Sequence, residues 1–264
     1  MNRLFVIVVW TVCLLISVAT DARAEIETRR ITYKDGDTTL VGHLYYDVEQ
    51  AGQRPGVLVV HEWWGLNKYA RTRARMLAEM GYVAFALDMY GQGKSTTERH
   101  TAQEWATAHY KDLTMMRRRA ALGLNVLRSE ALVDKKRIAA IGYCFGGSTV
   151  LQLAYAGADI AGVVSFQGNT LPPSEEDVKR IKAGILVCHG AADPFVPQER
   201  LQSFVDAVNG KGVDFQVIQY GGAVHSFTNP GAGDDNASGS AYNAKADARS
   251  WAHMQVYFDE LFAE

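Results

Sequence analysis

The segment IAAIGYCFGG, residues 138–147, decides the fold of this chain. Its first four residues are apolar and predict a strand that is buried on both faces, and the residues after it predict a helix. Between them, Cys144 occupies the middle of a G-x-C-x-G turn. The turn is so sharp that side chains at Gly142 and Gly146 would clash with the neighbouring strand and helix. It places the cysteine at the sheet edge, beside a helix N-terminus. A helix N-terminus favours a reactive thiolate, although a plain buried cysteine would also suit such a turn.

Similar apolar runs alternate with amphipathic segments along the rest of the chain. Buried strands are predicted at residues 57–60, 82–87, 138–141, 161–166, 185–188 and 215–218. Helices are predicted at residues 69–80, within 103–130, and at 148–156, 198–209 and 244–262. Residues 27–33 and 39–46 predict a preceding hairpin. This order predicts a single α/β domain with a mostly parallel central sheet and helices on both faces.

The composition excludes several classes of function. The chain has 264 residues, of which 48% are hydrophobic, and a formal net charge of -2. This balance excludes a disordered chain and argues against nucleic acid or an anionic membrane as the main partner. Three cysteines are too few for a disulfide framework or a four-cysteine zinc site.

The first 24 residues form a secretory signal peptide in our interpretation. Arg3 precedes a nearly unbroken apolar run, and Ala22 and Ala24 place small residues before a cleavage site. The alternative is an uncleaved anchor, for which the apolar run is short. We therefore expect an exported domain of residues 25–264, periplasmic or secreted, without stable membrane association after cleavage.

Two further polar residues follow predicted strands. Asp193 lies in the pattern H-G-x-x-D-x-x-V-P at residues 189–197, and His225 lies in a glycine-rich loop after the last strand. Alone, Asp193 could be an ordinary turn residue and His225 an exposed loop histidine. Together with Cys144 they follow the order nucleophile, acid and histidine that is typical of α/β-hydrolases.

The segment His61-Glu62-Trp63-Trp64-Gly65 follows the first buried strand. In α/β-hydrolases this loop supplies an oxyanion-hole N–H, here that of Trp63, and the residue after the nucleophile supplies the other, here Phe145. In an aromatic pocket, Glu62 is predicted to have a raised pKa and to exchange a proton or hydrogen bond with a nearby thiol, although it could also be a loop glutamate that faces water. The histidines show no helical i, i+4 pair, so we expect no metal site.

These segments resemble the dienelactone hydrolase family over essentially the whole mature chain. The resemblance rests on residues 61–65, 142–147, 189–197 and 225–227. It implies an α/β-hydrolase that cleaves carboxylic esters or lactones through an acyl-thioester, with Cys144, Asp193 and His225 as its triad. It also implies that Glu62 pairs with the resting thiol, that no cofactor is needed and that the protein is a monomer.

Two positions depart from that family. Gln92 and Asn229 replace arginines that bind the substrate carboxylate in the founding enzymes. We therefore expect a small neutral or differently charged ester or lactone. The predicted substrate pocket contains Trp64, Tyr90, Gln92, Phe227 and Asn229, although any single aromatic ring among them could instead be core packing.

Three alternative functions remain open from the sequence. The same site could cleave thioesters or peptides, but no cap domain with room for a peptide is evident. An exported non-catalytic binding protein is a second alternative, although all triad candidates are present. A redox function is disfavoured because Cys144 and Cys188 form no C-x-x-C motif.

Overall fold

The computed structural model describes residues 24–263. The predicted signal peptide lies outside the described residues apart from Ala24, so it stays a prediction. Within the described range, no helix has both the length and the apolar character needed to cross a membrane.

One sheet contains the eight strands of the described residues. They are β1 (Ile26–Asp35), β2 (Thr38–Asp47), β3 (Arg54–Val60), β4 (Val83–Leu87), β5 (Val133–Tyr143), β6 (Gly162–Phe166), β7 (Gly184–Gly190) and β8 (Phe215–Tyr220). Their spatial order is β1-β2-β4-β3-β5-β6-β7-β8. The β1–β2 and β2–β4 pairs are antiparallel, and every other pair is parallel. The predicted mostly parallel sheet is confirmed.

Helices cover both faces of this sheet. They are α1 (Lys68–Glu79), α2 (Arg99–Lys111), α3 (Leu113–Ser129), α4 (Phe145–Tyr155), α5 (Glu175–Arg180), α6 (Gln198–Val208) and α7 (Ala244–Leu261). The stretch predicted within residues 103–130 is two helices, because the Asp112 side chain accepts a hydrogen bond from the Met115 N–H at 2.9 Å and starts a new helix. The short α5 was not predicted from the sequence.

The two apolar faces of β3 pack into two separate hydrophobic cores, one on each side of the sheet. Leu58 and Val60 pack with buried residues of α3, α4 and α6. Val57 and Val59 pack with buried residues of α1 and α7. Because all four side chains are fully buried, the strand reads as a continuous apolar run rather than an alternating one.

The strand order places a crevice at the carboxyl ends of β3 and β5. The chain passes from β3 to β4 on one side and then to β5 on the other side of β3. Ligands of open α/β sheets bind where the strand order reverses in this way. Residues 61–65 leave β3 there and Cys144 leaves β5 there, so the fold brings these two segments to one edge.

Candidate active site

Cys144 sits on a strained turn between β5 and α4. Its backbone has φ 53° and ψ -112°, a conformation that is costly for a residue with a Cβ. A Cβ on Gly142 would lie 2.0 Å from the Gly146 carbonyl oxygen, and one on Gly146 would lie 2.2 Å from the Val60 carbonyl oxygen. Both glycines are therefore required by close backbone contacts, and the turn packs directly on the end of β3. The thiol is partly buried and unpaired by any disulfide.

His225 and Asp193 form a buried pair beside this thiol. The Nδ1 atom of His225 lies 2.7 Å from Oδ2 of Asp193, whose side chain is fully buried. The other carboxylate oxygen of Asp193 accepts the N–H groups of Phe195 at 2.8 Å and Val196 at 3.2 Å, which fixes its orientation. Burial disfavours the imidazolium, but the Cys144 thiolate and the Asp193 carboxylate outweigh it and raise the pKa of His225 well above its ordinary value.

The loop after His225 holds the histidine by backbone hydrogen bonds. The His225 N–H donates to the Gly239 carbonyl at 3.1 Å, and the Ala241 N–H donates to the His225 carbonyl at 3.0 Å. A Cβ on Gly239 would lie 3.2 Å from the Phe195 ring, so the loop also packs on the segment that carries Asp193. The loop therefore holds both residues of the pair in place.

Two backbone N–H groups next to Cys144 have no acceptor among the residues that the structure describes. Within residues 24–263, neither Trp63 nor Phe145 donates its N–H to a backbone or side-chain acceptor. Phe145 is the first residue of α4, whose N–H groups lack intrahelical acceptors. Because the elbow packs on the end of β3, both donors lie at the same edge of the sheet. Such a pair can stabilise an oxyanion that forms on an attacked carbonyl.

Glu62 is a buried carboxylate that points toward Asn229. Only 1% of Glu62 is exposed, and its Oε2 accepts a hydrogen bond from Nδ2 of Asn229 at 2.8 Å. Burial raises the pKa of Glu62 to about 7, against the opposing effects of the His225 charge, the Asn229 hydrogen bond and the Arg73 charge. In the described part of the chain no hydrogen bond joins Glu62 to Cys144, so the expected contact with the resting thiol is not made in this conformation.

A cavity of about 270 Å³ opens over the Cys144 thiol. Its walls are mainly aromatic or small and polar, and Arg99 is the only lysine or arginine among them. The lining residues are Trp63, Trp64, Arg99, Tyr110, Cys144, Asn169, Phe195, Val196, His225, Ser226 and Ser240. In residues 24–263 no group of three or more His, Cys, Asp or Glu side chains is placed to hold a metal ion.

Comparison with known proteins identifies the relatives of this chain. The sequence model of the dienelactone hydrolase family matches residues 41–262. The chain belongs to the dienelactone hydrolase family. It is a dienelactone hydrolase-like hydrolase, and its eight-stranded sheet is that of the α/β-hydrolases.

Individual members of the family support the same assignment. A dienelactone hydrolase-like promiscuous phosphotriesterase from metagenomic libraries is 42% identical, with a TM-score of 0.87, over 90% of this chain and 99% of that chain. A Synechocystis sp. protein provisionally named carboxymethylenebutenolidase is 26% identical over 89% of this chain and 97% of its own length. A Bradyrhizobium sp. protein named as a probable 2-oxo-3-(5-oxofuran-2-ylidene)propanoate lactonase is 25% identical over 78% of this chain and 84% of its own.

Several residues predicted for the pocket of this dienelactone hydrolase family member lie elsewhere. Trp64 does line the cavity, but Phe227 is fully buried in the core beside α1 and α7. Tyr90 is buried behind the cavity wall, with its ring 5.3 Å from that of Phe145. Gln92 is exposed in a turn, because the Asp88 carboxylate accepts the surrounding N–H groups and folds that turn back on β2.

Asn229 is the fourth predicted pocket residue that lies outside this cavity. It borders a neighbouring groove, and its amide is used to hold Glu62. The sequence reasoning also missed several lining residues. Asn169 follows β6 at the same sheet edge, Phe195 lies two residues after Asp193, and Arg99 begins α2 after the loop that leaves β4. Those positions could have been inferred from the rule that strand ends converge, whereas Tyr110 on α2 carries no such signal.

Proposed function

We propose that this protein hydrolyses small carboxylic esters or lactones, with Cys144 as nucleophile, His225 as general base and Asp193 as the acid that orients the histidine. The observation that carries the proposal is the His225–Asp193 pair at 2.7 Å beside a strained, partly buried Cys144. A nucleophile, a base and an orienting group in this relation are what acyl transfer requires. Membership of the dienelactone hydrolase family gives independent support.

The first half of the reaction forms an acyl-enzyme. His225 accepts the thiol proton and is stabilised as imidazolium by Asp193. The Cys144 sulfur attacks the substrate carbonyl carbon, and the C–O bond of the ester breaks as the tetrahedral intermediate collapses. The imidazolium gives its proton to the departing alkoxide, so an alcohol leaves and a thioester remains on Cys144. In a lactone the alcohol stays attached to the acyl group.

The free N–H groups of Trp63 and Phe145 hold the oxyanion in this scheme. Each donor of this type is worth about 3 kcal/mol of transition-state stabilisation. The positive φ of Cys144 supports this role, because the elbow turns the Phe145 N–H and the sulfur toward the same space. The second half of the reaction uses the same donors: neutral His225 removes a proton from water, and the resulting attack on the thioester releases the acid and the Cys144 thiol.

Glu62 acts in our proposal as a proton reservoir beside the thiol and histidine. Its raised pKa, about 7, allows the carboxyl to carry or release a proton near neutral pH. A role in thiol activation requires the side chain to exchange Asn229 for Cys144 when substrate arrives, because no hydrogen bond joins it to Cys144 in the described conformation. The Asn229 donor is an uncharged amide, which makes such an exchange less costly than breaking an ion pair.

The substrate is small and carries an apolar group near the scissile bond. The cavity of about 270 Å³ is walled by Trp63, Trp64 and Phe195, whose rings favour apolar substituents. Phe195 is 55% exposed, and its ring stands edge-on to His225 at 5.5 Å, where the leaving group or acyl chain would pack.

A nucleophile substitution tests this function. We expect Cys144→Ala to lose hydrolysis of p-nitrophenyl acetate under reducing conditions, while the matched variant Cys188→Ala keeps it, because Cys188 is buried in β7 away from the cavity. Intact mass spectrometry of the wild type, quenched in acid during turnover, should show an acyl adduct that Cys144→Ala does not form. Full activity in Cys144→Ala would overturn the nucleophile assignment.

Phosphotriester hydrolysis is a second candidate activity for the same site. The observation that favours it is the 42% identity to a promiscuous phosphotriesterase across nearly all of both chains. The sulfur would attack phosphorus and displace an aryloxide, and water would then cleave the phosphorus–sulfur bond. Turnover of paraoxon that disappears in Cys144→Ala would support this activity, whereas one equivalent of aryloxide followed by arrest would identify the triester as an inhibitor.

We also propose that the protein is exported with cleavage after Ala24. The charged start, the apolar run and the small residues before Glu25 support it. N-terminal sequencing of the protein recovered from the periplasm or medium of a bacterial host should begin at Glu25. Recovery of the intact chain from the cytosol would contradict the proposal.

A further inference from the structure

Arg73 is a buried cation that lies behind the candidate active site. It belongs to α1, is 4% exposed and is not among the residues that line the cavity. Its Nη2 donates to the Asp247 carboxylate at 2.6 Å and also to the main-chain carbonyl of Thr228. The residue therefore ties helix α1 to the start of α7 and to the chain that follows His225. A buried charge with this many partners is costly to form and needs a reason.

The partners of Arg73 belong to the segments that carry the site. Its guanidinium lies 5.6 Å from the ring centre of Tyr143, which directly precedes Cys144 in the strained turn. Its Nε donates to the Tyr69 hydroxyl at 3.3 Å, and that hydroxyl in turn donates to Oγ1 of Thr228 at 2.7 Å. One side chain thus contacts both the elbow strand and the histidine loop, without reaching substrate.

The same side chain acts on Glu62 through space. Thr228 is followed by Asn229, whose amide holds the Glu62 carboxylate. Arg73 is also one of the charges that lower the pKa of Glu62 against the larger effect of burial. The titratable groups that face Glu62 are His225, Arg73, Tyr69 and Tyr143, and Asn229 is its hydrogen-bond donor. Because His225 changes charge during the proposed reaction, Arg73 is the only permanent cation of this set.

We propose that Arg73 is a positioning residue: it fixes the His225–Asn229 segment against the Cys144 elbow and places a permanent buried charge behind the loop that holds Glu62. This inference rests on the proposed function of Cys144 and His225. Arg73 has two effects in this proposal. The geometric part comes from its contacts to Thr228 and Asp247, and the electrostatic part comes from its charge. The two parts respond differently to substitution.

Two variants separate these parts. Arg73→Lys keeps the charge but loses the planar group that reaches Thr228, Asp247 and Tyr69 together. We expect kcat/KM for p-nitrophenyl acetate to fall about 10- to 100-fold, as for a displaced catalytic group, with the midpoint of Glu62 titration unchanged. The double variant Arg73→Met/Asp247→Asn removes the charge without leaving a buried unpaired carboxylate. We expect a similar fall in kcat/KM and a Glu62 midpoint shifted to higher pH.

Glu62 titration is measured without turnover, from the carboxyl stretching band in infrared difference spectra against Glu62→Gln. The control is Arg75→Met on the same helix, since Arg75 is half exposed and pairs only with exposed Glu79 at 3.1 Å. An unchanged Glu62 midpoint in the double variant overturns the electrostatic part, and wild-type kcat/KM in Arg73→Lys overturns the geometric part. If Cys144→Ala keeps activity, the proposed function fails, but the infrared result still decides whether Arg73 controls Glu62.

Discussion

Replacing Glu62 with glutamine should stabilise the folded protein at alkaline pH and leave it nearly unchanged in acid. Glu62 is buried, and within residues 24–263 its side chain has one hydrogen bond, from the Asn229 amide, which a glutamine oxygen can accept equally well. At high pH the folded wild type must hold a buried carboxylate, whereas the unfolded chain exposes it to water. Glutamine removes that cost because it carries no charge.

The magnitude follows from the two pKa values of this group. Glu62 titrates at about 7 in the folded protein, against 4.5 for an ordinary glutamate. Between these values the folded state binds more protons than the unfolded state, so stability falls as pH rises through the interval. Each pH unit changes the free energy of unfolding by about 1.4 kcal/mol, which gives a total of about 3 kcal/mol above pH ~7.

Urea unfolding of wild type and Glu62→Gln at about pH 5 and about pH 8.5 measures this difference. The stability gained by the variant should be larger at the alkaline pH by about 2 to 3 kcal/mol. Glu79→Gln is the matched control: its carboxylate is half exposed on α1, so its effect should stay within about 0.5 kcal/mol at either pH. An equal effect of Glu62→Gln at both pH values would refute the argument that burial raises this pKa.

Three further substitutions test the site. Asp193→Asn should lower kcat about 10⁴-fold with little change in KM, because the amide no longer selects the required tautomer of His225; steady-state kinetics measure it. Arg99→Gln should reduce kcat/KM for a carboxylated p-nitrophenyl ester about fivefold relative to a neutral one of equal length, an effect that high salt should diminish. Gly146→Ala should destabilise the fold by ~3 kcal/mol or more in thermal melts, since its Cβ would lie 2.2 Å from the Val60 carbonyl oxygen; an unaltered melting temperature would contradict that packing.

The fold could be predicted from the sequence where one face or all faces of a strand or helix are buried, because the apolar residues then form a recognisable pattern. The run before Gly142 reads as a buried strand because both of its faces are covered, and the glycines after it predict the turn because backbone atoms lie against them. The break at Asp112 was harder to predict, since residues on both sides of it favour helix and only its side-chain cap divides them. Helix α5 has six mostly charged residues, so it lacks the periodic apolar positions from which a helix is predicted.

The site could be predicted only in part. The end of a strand can be located from neighbouring residues, whereas the walls of the pocket come from segments that are far apart in sequence. Cys144, Asp193 and His225 follow strands, and the parallel sheet brings strand ends to one edge. Phe227 was misplaced because sequence cannot tell which way a loop aromatic turns, and here its ring enters the core. Tyr110 reaches the cavity from a helix face, where its hydroxyl donates to Ser148, and that contact depends on helix packing.

The pKa values of His225 and Glu62 depend on each other, and in the proposed reaction this coupling favours deacylation after acylation. Once His225 holds the thiol proton, the Cys144 thiolate raises the pKa of His225, and the imidazolium lowers the pKa of Glu62. Acylation removes the charge from sulfur, so Asp193 alone then opposes the effect of burial, and the pKa of His225 falls toward the neutral base that can activate water. Neutral His225 no longer opposes the effect of burial on Glu62, so the pKa of Glu62 rises at the same stage. The loss of the sulfur charge therefore favours a neutral His225 in the acyl-enzyme, which is the form that deacylation needs.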